Sequence, residues 1–395
     1  MADRAILTVN AGSSSIKLSL YRLEGLELTR AWRGELEGIG TAPHFHAEGP
    51  DGRQLADEHP GKDLSDPLGW VLDWTDGNLG GAELIACGHR VVHGGPDHTR
   101  PELVDDELLA ALEELVPLAP LHEPANLEPI REIRKARPNL PQVACYDTAF
   151  HRGHARHVDC FALPYRYYEQ GVRRYGFHGL SYEYIASRLP EVAPDLAAGK
   201  VVVAHLGSGA SLCALDRCRS VDTTMGFSAL DGLVMGTRTG QIDPGVLLYL
   251  MQHEGMSVDQ VSGLLYRESG LKGLSGISND MRALEASGEE RAKLAIGVFI
   301  HQIAKQTMAL AAGMGGLDGL VFTAGIGEHS TAVRAAVLEK LAWFGFMLDA
   351  EANEAANEAS SPLITMPGSA KAAYVIPTDE ELMIARHTVD VVGAA

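Results

Sequence analysis

Cysteine is scarce and long apolar runs are missing, and each absence narrows the class of protein. The five cysteines are odd in number and contain no C-x-x-C pair, so a disulfide framework is not indicated and we expect reduced, mostly buried thiols. The N-terminal apolar run is too short for a signal peptide, and no later 18-residue stretch reads as a membrane span. We therefore expect a cytoplasmic protein with no membrane partner.

Basic residues are also in the minority. The chain has 33 Lys and Arg against 52 Asp and Glu, which gives a formal net charge of −19 at pH 7. Nucleic acids and anionic membranes would be repelled by such a surface, so neither is expected as a partner. If the substrate is a polyanion such as ATP, positive charge must be concentrated locally in its binding site.

What the sequence does contain is an internal repeat. Residues 6–21 read as a strand, a small polar turn over residues 10–15 and a second strand, with Lys17 just past the turn. Residues 201–215 repeat this plan, and residues 320–330 supply a third Gly-rich turn. One such turn could equally be an ordinary Ser-rich hairpin or a cradle of N–H and hydroxyl donors for a phosphate. Two copies in 395 residues favour duplicated α/β domains with a nucleotide in the cleft between them.

Charged and polar residues beside apolar strands are candidates for the chemistry. Arg90 lies within an apolar strand, where it requires an anionic ligand or a buried carboxylate partner, and the sequence leaves both open. Asp147 is predicted at the C-terminal end of a strand, the usual crevice position in an open α/β sheet. His151, His154 and His157 resemble a metal cluster, but no Cys or carboxylate completes it, so solvated histidines are favoured.

Periodicity predicts most of the remaining elements. We expect an antiparallel extension of the sheet over residues 22–60 and a functional loop over residues 220–244. Helices are predicted over residues 64–74, 105–115 and 290–312, and at the C-terminus from Glu380 and Glu381 onward. Residues 349–359 are predicted to form a solvent-exposed helix without a role in the chemistry.

An ordered set of motifs carries a family resemblance. They are VNAGSSSIKL, GHRVVHGG, PLAPLHEPANL, YDTAFH, RRYGFHG, AHLGSGAS, SVDTTMGF, GLVMGTRTGQIDP, GISNDMR, FTAGIGE and IPTDEEL. From about residue 4 to about residue 390, the chain resembles the acetate kinases. These are short-chain acyl kinases of the sugar-kinase, heat-shock-chaperone and actin superfamily.

The resemblance implies a fold, a reaction and partners. The fold is α/β, with two duplicated actin-like (ribonuclease H-like) ATPase domains around a nucleotide cleft. Residues 1–148 with 381–395 would form the N-terminal acyl-kinase domain, and residues 149–380 the nucleotide-binding domain. The reaction is ATP + acetate ⇌ ADP + acetyl phosphate, with Mg²⁺ as the cofactor, Mn²⁺ as the alternative ion, and a homodimer as the assembly. Another short-chain acid such as propionate is the alternative substrate.

The resemblance also assigns roles to single residues. Asn10 and Glu380 match magnesium-site positions, and Lys17 and Arg90 match substrate-binding positions. His178 and Arg238 match residues that stabilise the transferring phosphoryl group, and Asp147 matches the catalytic carboxylate. The nucleotide-binding loops match at His205, Leu206, Gly207, Ser208, Gly209, Asp280, Met281, Arg282, Gly325, Ile326, Gly327, Glu328 and His329. The acyl methyl group would lie among Val92, Leu121, Phe177 and Ala229.

Three departures from the family pattern concern ligand contacts. Ser208 and His329 stand where the family usually has Asn, and Ala229 stands where it commonly has Pro. The Gly-rich backbone is unchanged, while Ala229 could admit one more carbon in the acyl group. Val92 follows Arg90 by two residues, so we expect both side chains on one face of the strand.

The chemistry of the acceptor limits the role of Asp147. A carboxylic acid such as acetate is already ionised at pH 7, so a general base has no proton to remove. We expect Asp147 to orient an arginine or the water shell of the metal ion. Direct in-line transfer is favoured, and a phosphorylated carboxylate remains the alternative. A sugar kinase, a DNA-binding regulator and a chaperone-type ATPase of the same superfamily are less consistent with the apolar pocket and the acidic chain.

Overall fold

The computed structural model describes residues 3–12, 15–39, 42–60, 67–120, 122–356 and 362–393. Two compact units divide the chain: unit 1 comprises Met1–Phe150 and Asp379–Ala395, and unit 2 comprises His151–Thr378. The predicted domain boundaries, after residues 148 and 380, each lie two residues from these divisions. That the two units are the acyl and nucleotide domains stays a prediction.

Unit 1 is built on an eight-stranded sheet of order β5-β4-β3-β2-β1-β6-β8-β7. Its elements are β1 (Arg4–Ala11), β2 (Ser15–Glu24), β3 (Glu27–Glu37), β4 (His44–Glu48), β5 (Gln54–Glu58), α1 (Pro67–Gly77), β6 (Glu83–Val91), β7 (Glu102–Leu103), α2 (Asp106–Glu114), α3 (Glu123–Ala136) and β8 (Gln142–Tyr146). Strands β1 to β5 form a continuous antiparallel meander, as predicted, while β6 and β8 run parallel to β1.

Unit 2 is built on a five-stranded sheet of order β11-β10-β9-β12-β13. Its elements are α4 (Arg156–Asp159), α5 (Arg166–Glu169), α6 (Gly179–Val192), α7 (Pro194–Ala197), β9 (Lys200–Leu206), β10 (Ala210–Asp216), β11 (Arg219–Thr223), α8 (Pro244–Gln252), α9 (Val258–Gly263), α10 (Gly270–Ser275), α11 (Met281–Glu285), α12 (Glu290–Met314), β12 (Gly319–Thr323), α13 (Ala324–His329), α14 (Thr331–Lys340), α15 (Ala350–Ala355) and β13 (Ala372–Val375). The chain then returns to unit 1 as α16 (Glu380–Val392).

The two sheets share one topology, which confirms the predicted duplication. In unit 1 the order β3-β2-β1-β6-β8 contains three antiparallel strands, β3 to β1. They are followed by β6 and β8, which run parallel to β1. The strands β11-β10-β9-β12-β13 of unit 2 repeat that order and those directions. Both sheets therefore have the core of the actin-like ATPase fold, and the predicted hairpins β1–β2 and β9–β10 occupy equivalent places.

Helices cover both faces of the unit 1 sheet because β1 and β6 are apolar on both sides. Leu7 and Val9 join a core with Trp32 and Phe45 on one face. On the other face Ile6 packs with side chains of α16. This helix passes close to β6, since a Cβ added at Gly88 would lie 2.1 Å from Thr388 Oγ1. Glycine at position 88 thus allows the C-terminal helix to lie directly on the sheet.

One expectation for unit 2 was wrong. The third Gly-rich segment forms the short helix α13 after β12, not an open turn. The helix α12 contains an 18-residue window with a mean hydropathy of 1.2, so by length and composition it could cross a bilayer. In this structure 44% of that window is buried, and Phe299, Ile303 and Leu310 pack in the core. Core helices of globular proteins commonly have these properties, so the window is weak evidence for a membrane span.

Two predicted helices differ in detail. Helix α1 begins at Pro67, and Leu64 of the predicted helix lies outside the described residues. Helix α15 is not simply solvated, because its Asn353 is buried and accepts a hydrogen bond of 2.7 Å from the buried guanidinium of Arg334. A polar contact that joins two helices was not visible in an Ala- and Glu-rich segment.

Candidate active-site residues

The unit 1 candidates meet where strands of the sheet end and α16 begins. Asn10 lies near the end of β1, Arg90 lies on β6, and Asp147 directly follows β8. Glu380 and Glu381 open α16. Parallel strands present their carboxyl ends at one edge of a sheet, which is why residues so far apart in sequence converge. We call these five residues the arginine cluster.

Hydrogen bonds link the arginine cluster through the guanidinium of Arg90. Its Nε lies 3.1 Å from both carboxylate oxygens of Asp147, and its Nη2 donates to Asp147 Oδ2 at 2.6 Å. Its Nη1 donates to Asn10 Oδ1 at 3.3 Å. The amide nitrogen of Asn10 in turn lies 3.5 Å from an oxygen of Glu380 and of Glu381. The buried arginine–carboxylate pair, one of the two alternatives for Arg90, is therefore present.

The arginine cluster carries more negative than positive charge. Burial, together with repulsion from Asp147 and Glu381, raises the pKa of Glu380 to about 7, although Arg90 and Lys17 oppose this rise. Where burial disfavours the anionic form of a carboxyl group, a nearby cation stabilises that form. The oxygens of Asn10 and Glu380 are also the donors that hard divalent cations take. The cluster fits the Mg²⁺ that the family resemblance implies.

The other predicted substrate residues of unit 1 are Lys17, Val92 and Leu121. Lys17 is the register partner of Asn10 across the β1–β2 hairpin. Val92 is buried, but β6 ends at Val91, so the expected strand alternation from Arg90 does not extend to it. Its backbone N–H instead donates to Asn126 Oδ1 of α3 at 2.8 Å. Leu121 lies outside the described residues.

Glu123 is a residue that the sequence interpretation missed. It occupies the first turn of α3, its side chain is 0% exposed, and no side chain in the described structure donates a hydrogen bond to its carboxylate oxygens. Burial raises the pKa of Glu123 to about 8, with an opposing effect from a backbone group of His93 and a further rise from Asp147. A glutamate at a helix start is normally exposed and stabilises the helix dipole, so the sequence indicated the opposite environment.

In unit 2, His178 is held in an unusual conformation. It precedes α6 with a φ of 58°, in the left-handed region that few non-glycine residues adopt. Its Nδ1 lies 2.8 Å from Ser211 Oγ, and its ring stacks on His205 at a centroid distance of 4.2 Å. His205 Nδ1 is held in turn by Ser181 Oγ at 2.8 Å. Two of the predicted residues thus form one stacked pair with fixed ring positions.

Arg238 lies against the same Gly-rich loop. A Cβ added at Gly209 would lie 2.9 Å from Arg238 Nη2 and 3.1 Å from His178 Nε2, so both side chains pack closely on the loop backbone at this glycine. Arg238 Nη1 donates to the carbonyl of Ala229 at 2.8 Å. Phe177, the residue before His178, is buried. The structure therefore brings His178, Arg238 and the β9–β10 turn together.

A cavity of about 510 Å³ in unit 2 collects most of the predicted nucleotide-binding residues. Of the predicted set, the residues that line it are Gly207, Ser208, Asp280, Met281, Arg282, Gly325, Ile326 and His329. Asn279, Glu285 and Ser330, which were not predicted, also line it. A volume of this size is typical of a site for a small organic ligand. A larger cavity of about 740 Å³ in unit 2 contains none of the predicted site residues.

Five predicted nucleotide-loop residues do not line this cavity: His205, Leu206, Gly209, Gly327 and Glu328. Leu206 and Gly327 are buried in the fold. The carboxylate of Glu328 accepts hydrogen bonds from the N–H groups of Ala324 at 2.7 Å and Thr378 at 3.1 Å. These contacts fix the start of α13, so Glu328 shapes the loop from behind.

The HRGHARH histidines are not solvated in the way we expected. His151 is fully buried, and Ser220 Oγ lies 2.7 Å from its Nδ1 and 2.8 Å from Nε2 of His154. Only His157 is exposed. The segment is thus part of the packing between the 3₁₀ helix Ala149–His151 and β11.

Comparison with known proteins relates the whole chain to one family. The profile of the Acetokinase family matches residues 5–386. The chain belongs to the acetokinase family. It is 54% identical to an acetate kinase from Nitrobacter hamburgensis over 97% of this chain and 95% of that protein, and 52% identical to one from Rhizobium meliloti over 99% of both.

Solved structures of acetokinase-family proteins have the same fold over nearly their full length. A crystal structure of Porphyromonas gingivalis acetate kinase has a TM-score of 0.86 at 36% identity and covers 98% of this chain and 100% of its own. A propionate kinase from Francisella tularensis has a TM-score of 0.89 at 36% identity, with coverages of 99% and 100%. Since an acetate kinase and a propionate kinase are this similar to the chain, backbone likeness does not select the acyl substrate.

Proposed function

We propose that the chain is an acetate kinase that reversibly transfers the γ-phosphoryl group of ATP to acetate, giving ADP and acetyl phosphate. The observation that carries this proposal is the 54% identity to an acetate kinase over nearly the entire chain. The bound acetate carboxylate attacks the γ-phosphorus, a new O–P bond forms, and the bond to the β–γ bridging oxygen breaks as ADP leaves. No proton changes hands in this step, because the acceptor is already an anion.

The basic side chains are proposed to hold the anionic substrates. Arg90 and Lys17 would bind the acetate carboxylate, since Arg90 is the fixed cation of the arginine cluster. His178 and Arg238 would contact the transferring phosphoryl group, because both pack against the β9–β10 turn. Residues in such preorganised positions stabilise charge in the transition state with little reorganisation.

Asp147 is proposed to orient Arg90 and not to act as a base. Its two oxygens accept the Nε and Nη2 donors of the guanidinium. A carboxylate committed to two such contacts fixes the plane and rotamer of the arginine. This role suits a reaction without proton abstraction and favours direct transfer over a phosphorylated carboxylate.

Asn10 and Glu380 would hold Mg²⁺, with Mn²⁺ as the alternative ion. When bound, the ion would neutralise charge on the phosphates of ATP. We further propose that ATP occupies the unit 2 cavity near Gly207, Asp280 and Gly325. Unit 2 would then be the nucleotide domain, and unit 1 the acyl domain. A cytoplasmic homodimer that supplies acetyl phosphate for acetyl-CoA synthesis completes the proposal.

Propionate is the second candidate substrate, and Ala229 is the residue that favours it. The family commonly has Pro at this position, and alanine is smaller. The carbonyl of Ala229 still accepts a hydrogen bond from Arg238, so the substitution changes the side chain and leaves that backbone contact in place. One methylene is worth only about 1–3 kcal/mol of discrimination in an apolar pocket.

A hydroxamate assay tests the reaction. The chain is incubated with ATP, Mg²⁺, hydroxylamine and one acid, and the acyl hydroxamate is measured over a range of acid concentrations. We expect kcat/KM to decrease from acetate to propionate to butyrate. Absence of hydroxamate with every acid contradicts the kinase proposal, and a preference for propionate or butyrate contradicts acetate as the substrate.

A further inference from the structure

An exposed group of histidines and one aspartate lies on the edge hairpin of unit 1, away from the arginine cluster. His44 and His46 are on β4, Asp57 is on β5, and His59 follows β5 directly. Within the described residues, only His44, Asp57 and His59 form a set whose candidate ligand atoms all lie within 4.8 Å of one another. None of these residues was singled out in the sequence, because their separation hides the pairing.

The strand register explains why these side chains converge. Phe45 and Ala47 point into the core, so His44 and His46 are on the solvent face of β4. Asp57 is the register partner of His46, and continuing the register places His59 opposite His44. The rings of His44 and His59 stack at a centroid distance of 4.4 Å. Four potential ligands thus form two cross-strand pairs on one face.

Contacts already hold part of this group in place. His44 Nε2 donates to Asp57 Oδ1 at 2.6 Å. That hydrogen bond, together with the positive charge that His44, His59 and His46 can carry, lowers the pKa of Asp57. Glu35 and Glu37 of β3 are the register partners of His46 and His44, so further carboxylates share this face. Carboxylates of β3 and β5 therefore lie on the same face as the histidines.

We propose that His44, Asp57 and His59, with His46 as an additional ligand, bind one transition-metal ion of the Zn²⁺, Ni²⁺ or Cu²⁺ type. Two or three imidazoles and a carboxylate are the donors that such ions take, with bonds of about 2.0–2.2 Å for Zn²⁺. On binding, the Nε2 hydrogen that His44 donates to Asp57 would leave to solvent, and the neutral ring would carry its hydrogen on Nδ1 and offer Nε2 to the ion. Mg²⁺, which prefers oxygen ligands alone, would not compete.

The site would join β5 to β4. Strand β5 is the edge of the eight-stranded sheet and pairs only with β4. An ion held by His44 on one strand and by Asp57 and His59 at the end of the other would fasten this edge strand to its neighbour. Asp57, His46, Glu35, Lys17 and Asn10 are successive register partners across the sheet. At about 4.8 Å per strand, the proposed ion is roughly 14 Å from β1, too far to contact substrates bound there.

Metal titration of the untagged, chelator-treated, nucleotide-free chain tests the proposal. Calorimetry with ZnCl₂ should give one equivalent of tight Zn²⁺ binding in the presence of about 5 mM Mg²⁺. Mg²⁺ at roughly this concentration is enough to saturate sites with oxygen ligands. His44→Ala and His59→Ala should each weaken that equivalent at least tenfold. His253→Ala, an exposed histidine of unit 2, should leave it unchanged. Kinase activity without added Zn²⁺ should be the same in all four proteins.

Hydrogen–deuterium exchange supplies a second readout that does not depend on activity. Zn²⁺ should slow amide exchange in the β4–β5 hairpin of the wild type and should not do so in His59→Ala. The visible spectrum of the Co²⁺-substituted chain should show the intense bands of a four-coordinate ion. Equal Zn²⁺ affinity in the wild type and both histidine variants, absence of an Mg²⁺-resistant equivalent, or unchanged hairpin exchange would each overturn the proposal.

Discussion

Replacement of Glu123 by Gln should make the free energy of unfolding of unit 1 less dependent on pH. Glu123 is fully buried, and no side chain in the described structure donates a hydrogen bond to its carboxylate oxygens. Burial raises its pKa from 4.5 to about 8. Gln keeps the size of the side chain and cannot ionise, so the variant isolates the cost of the buried charge.

The sign follows from proton linkage. Between pH 4.5 and 8 the folded chain keeps a proton on Glu123 that the unfolded chain has lost, so the free energy of unfolding falls as the pH rises. The contribution of the protonated Glu123 carboxyl to the free energy of unfolding is complete below pH 4.5 and is lost above pH 8. At roughly 1.4 kcal/mol per pKa unit, the loss is up to about 5 kcal/mol, of which about 2 kcal/mol has occurred by pH 6. The Gln amide adds a desolvation cost of about 1–3 kcal/mol that does not change with pH.

Tryptophan fluorescence can follow unit 1 alone. Trp32, Trp70 and Trp74 belong to unit 1, and Trp343 is the single tryptophan of unit 2. In a Trp343→Phe background, urea unfolding is recorded from pH 5 to pH 8.5 for the parent chain and for Glu123→Gln. The difference in unfolding free energy, variant minus parent, should rise by several kcal/mol over this range, whatever its value at pH 5.

A matched control separates burial from a general effect of charge removal. Glu128 lies on the same helix α3 with a side chain 63% exposed, so Glu128→Gln should give a difference that is constant with pH. If Glu123→Gln also gives a difference that changes by less than about 1 kcal/mol, the carboxyl is solvated in the native state and the reasoning from its burial is wrong.

Four further substitutions test other parts of the chain. Arg90→Ala and Arg238→Ala should each lower kcat by at least about 100-fold with a native circular dichroism spectrum, the scale of losing one preorganised charge contact; unchanged turnover would remove that arginine from the site. Val92→Ala should raise the ratio of kcat/KM for propionate to that for acetate, whereas a loss of stability alone would make Val92 a plain core residue. Arg334→Met should destabilise unit 2 by about 3 kcal/mol or more in thermal unfolding, because it leaves buried acceptors of Asn353 and Gly327 unpaired. A melting temperature within about 1 °C of the parent would contradict this.

Local sequence patterns were sufficient to predict the first hairpin of each sheet and the likeness of the two sheets. Alternation and small-residue turns predicted β1–β2 and β9–β10, and the repeat predicted that the sheets share a topology. The segment at residues 324–329 was predicted wrongly because Gly-Ile-Gly is typical of a turn. Its helix is closed by Glu328, which also accepts the N–H of Thr378, about 50 residues away. No local pattern contains that contact.

The candidate site was predictable where a family motif named its residues, and less so where burial decides. Arg90 was expected to meet either a ligand or a carboxylate, and the contact with Asp147 needed the parallel pairing of β6 with β8. Glu123 was missed because its local sequence favours an exposed helix start. The side chains of His44 and Asp57 could be paired only once the register of β4 and β5 was known.

Exceptions to local backbone rules coincide with the candidate site. In the described part of the chain, four non-glycine residues have a positive φ: His178, Arg217, Cys218 and Ala324. Arg217 and Cys218 are the two-residue turn between β10 and β11, where a type I′ hairpin requires positive φ at both positions. No hairpin accounts for the other two. His178 packs on the β9–β10 turn, and Ala324 precedes Gly325, which lines the cavity of about 510 Å³. Such conformations cost about 1–3 kcal/mol and persist only where the surrounding structure fixes them, which here is beside residues of the candidate site.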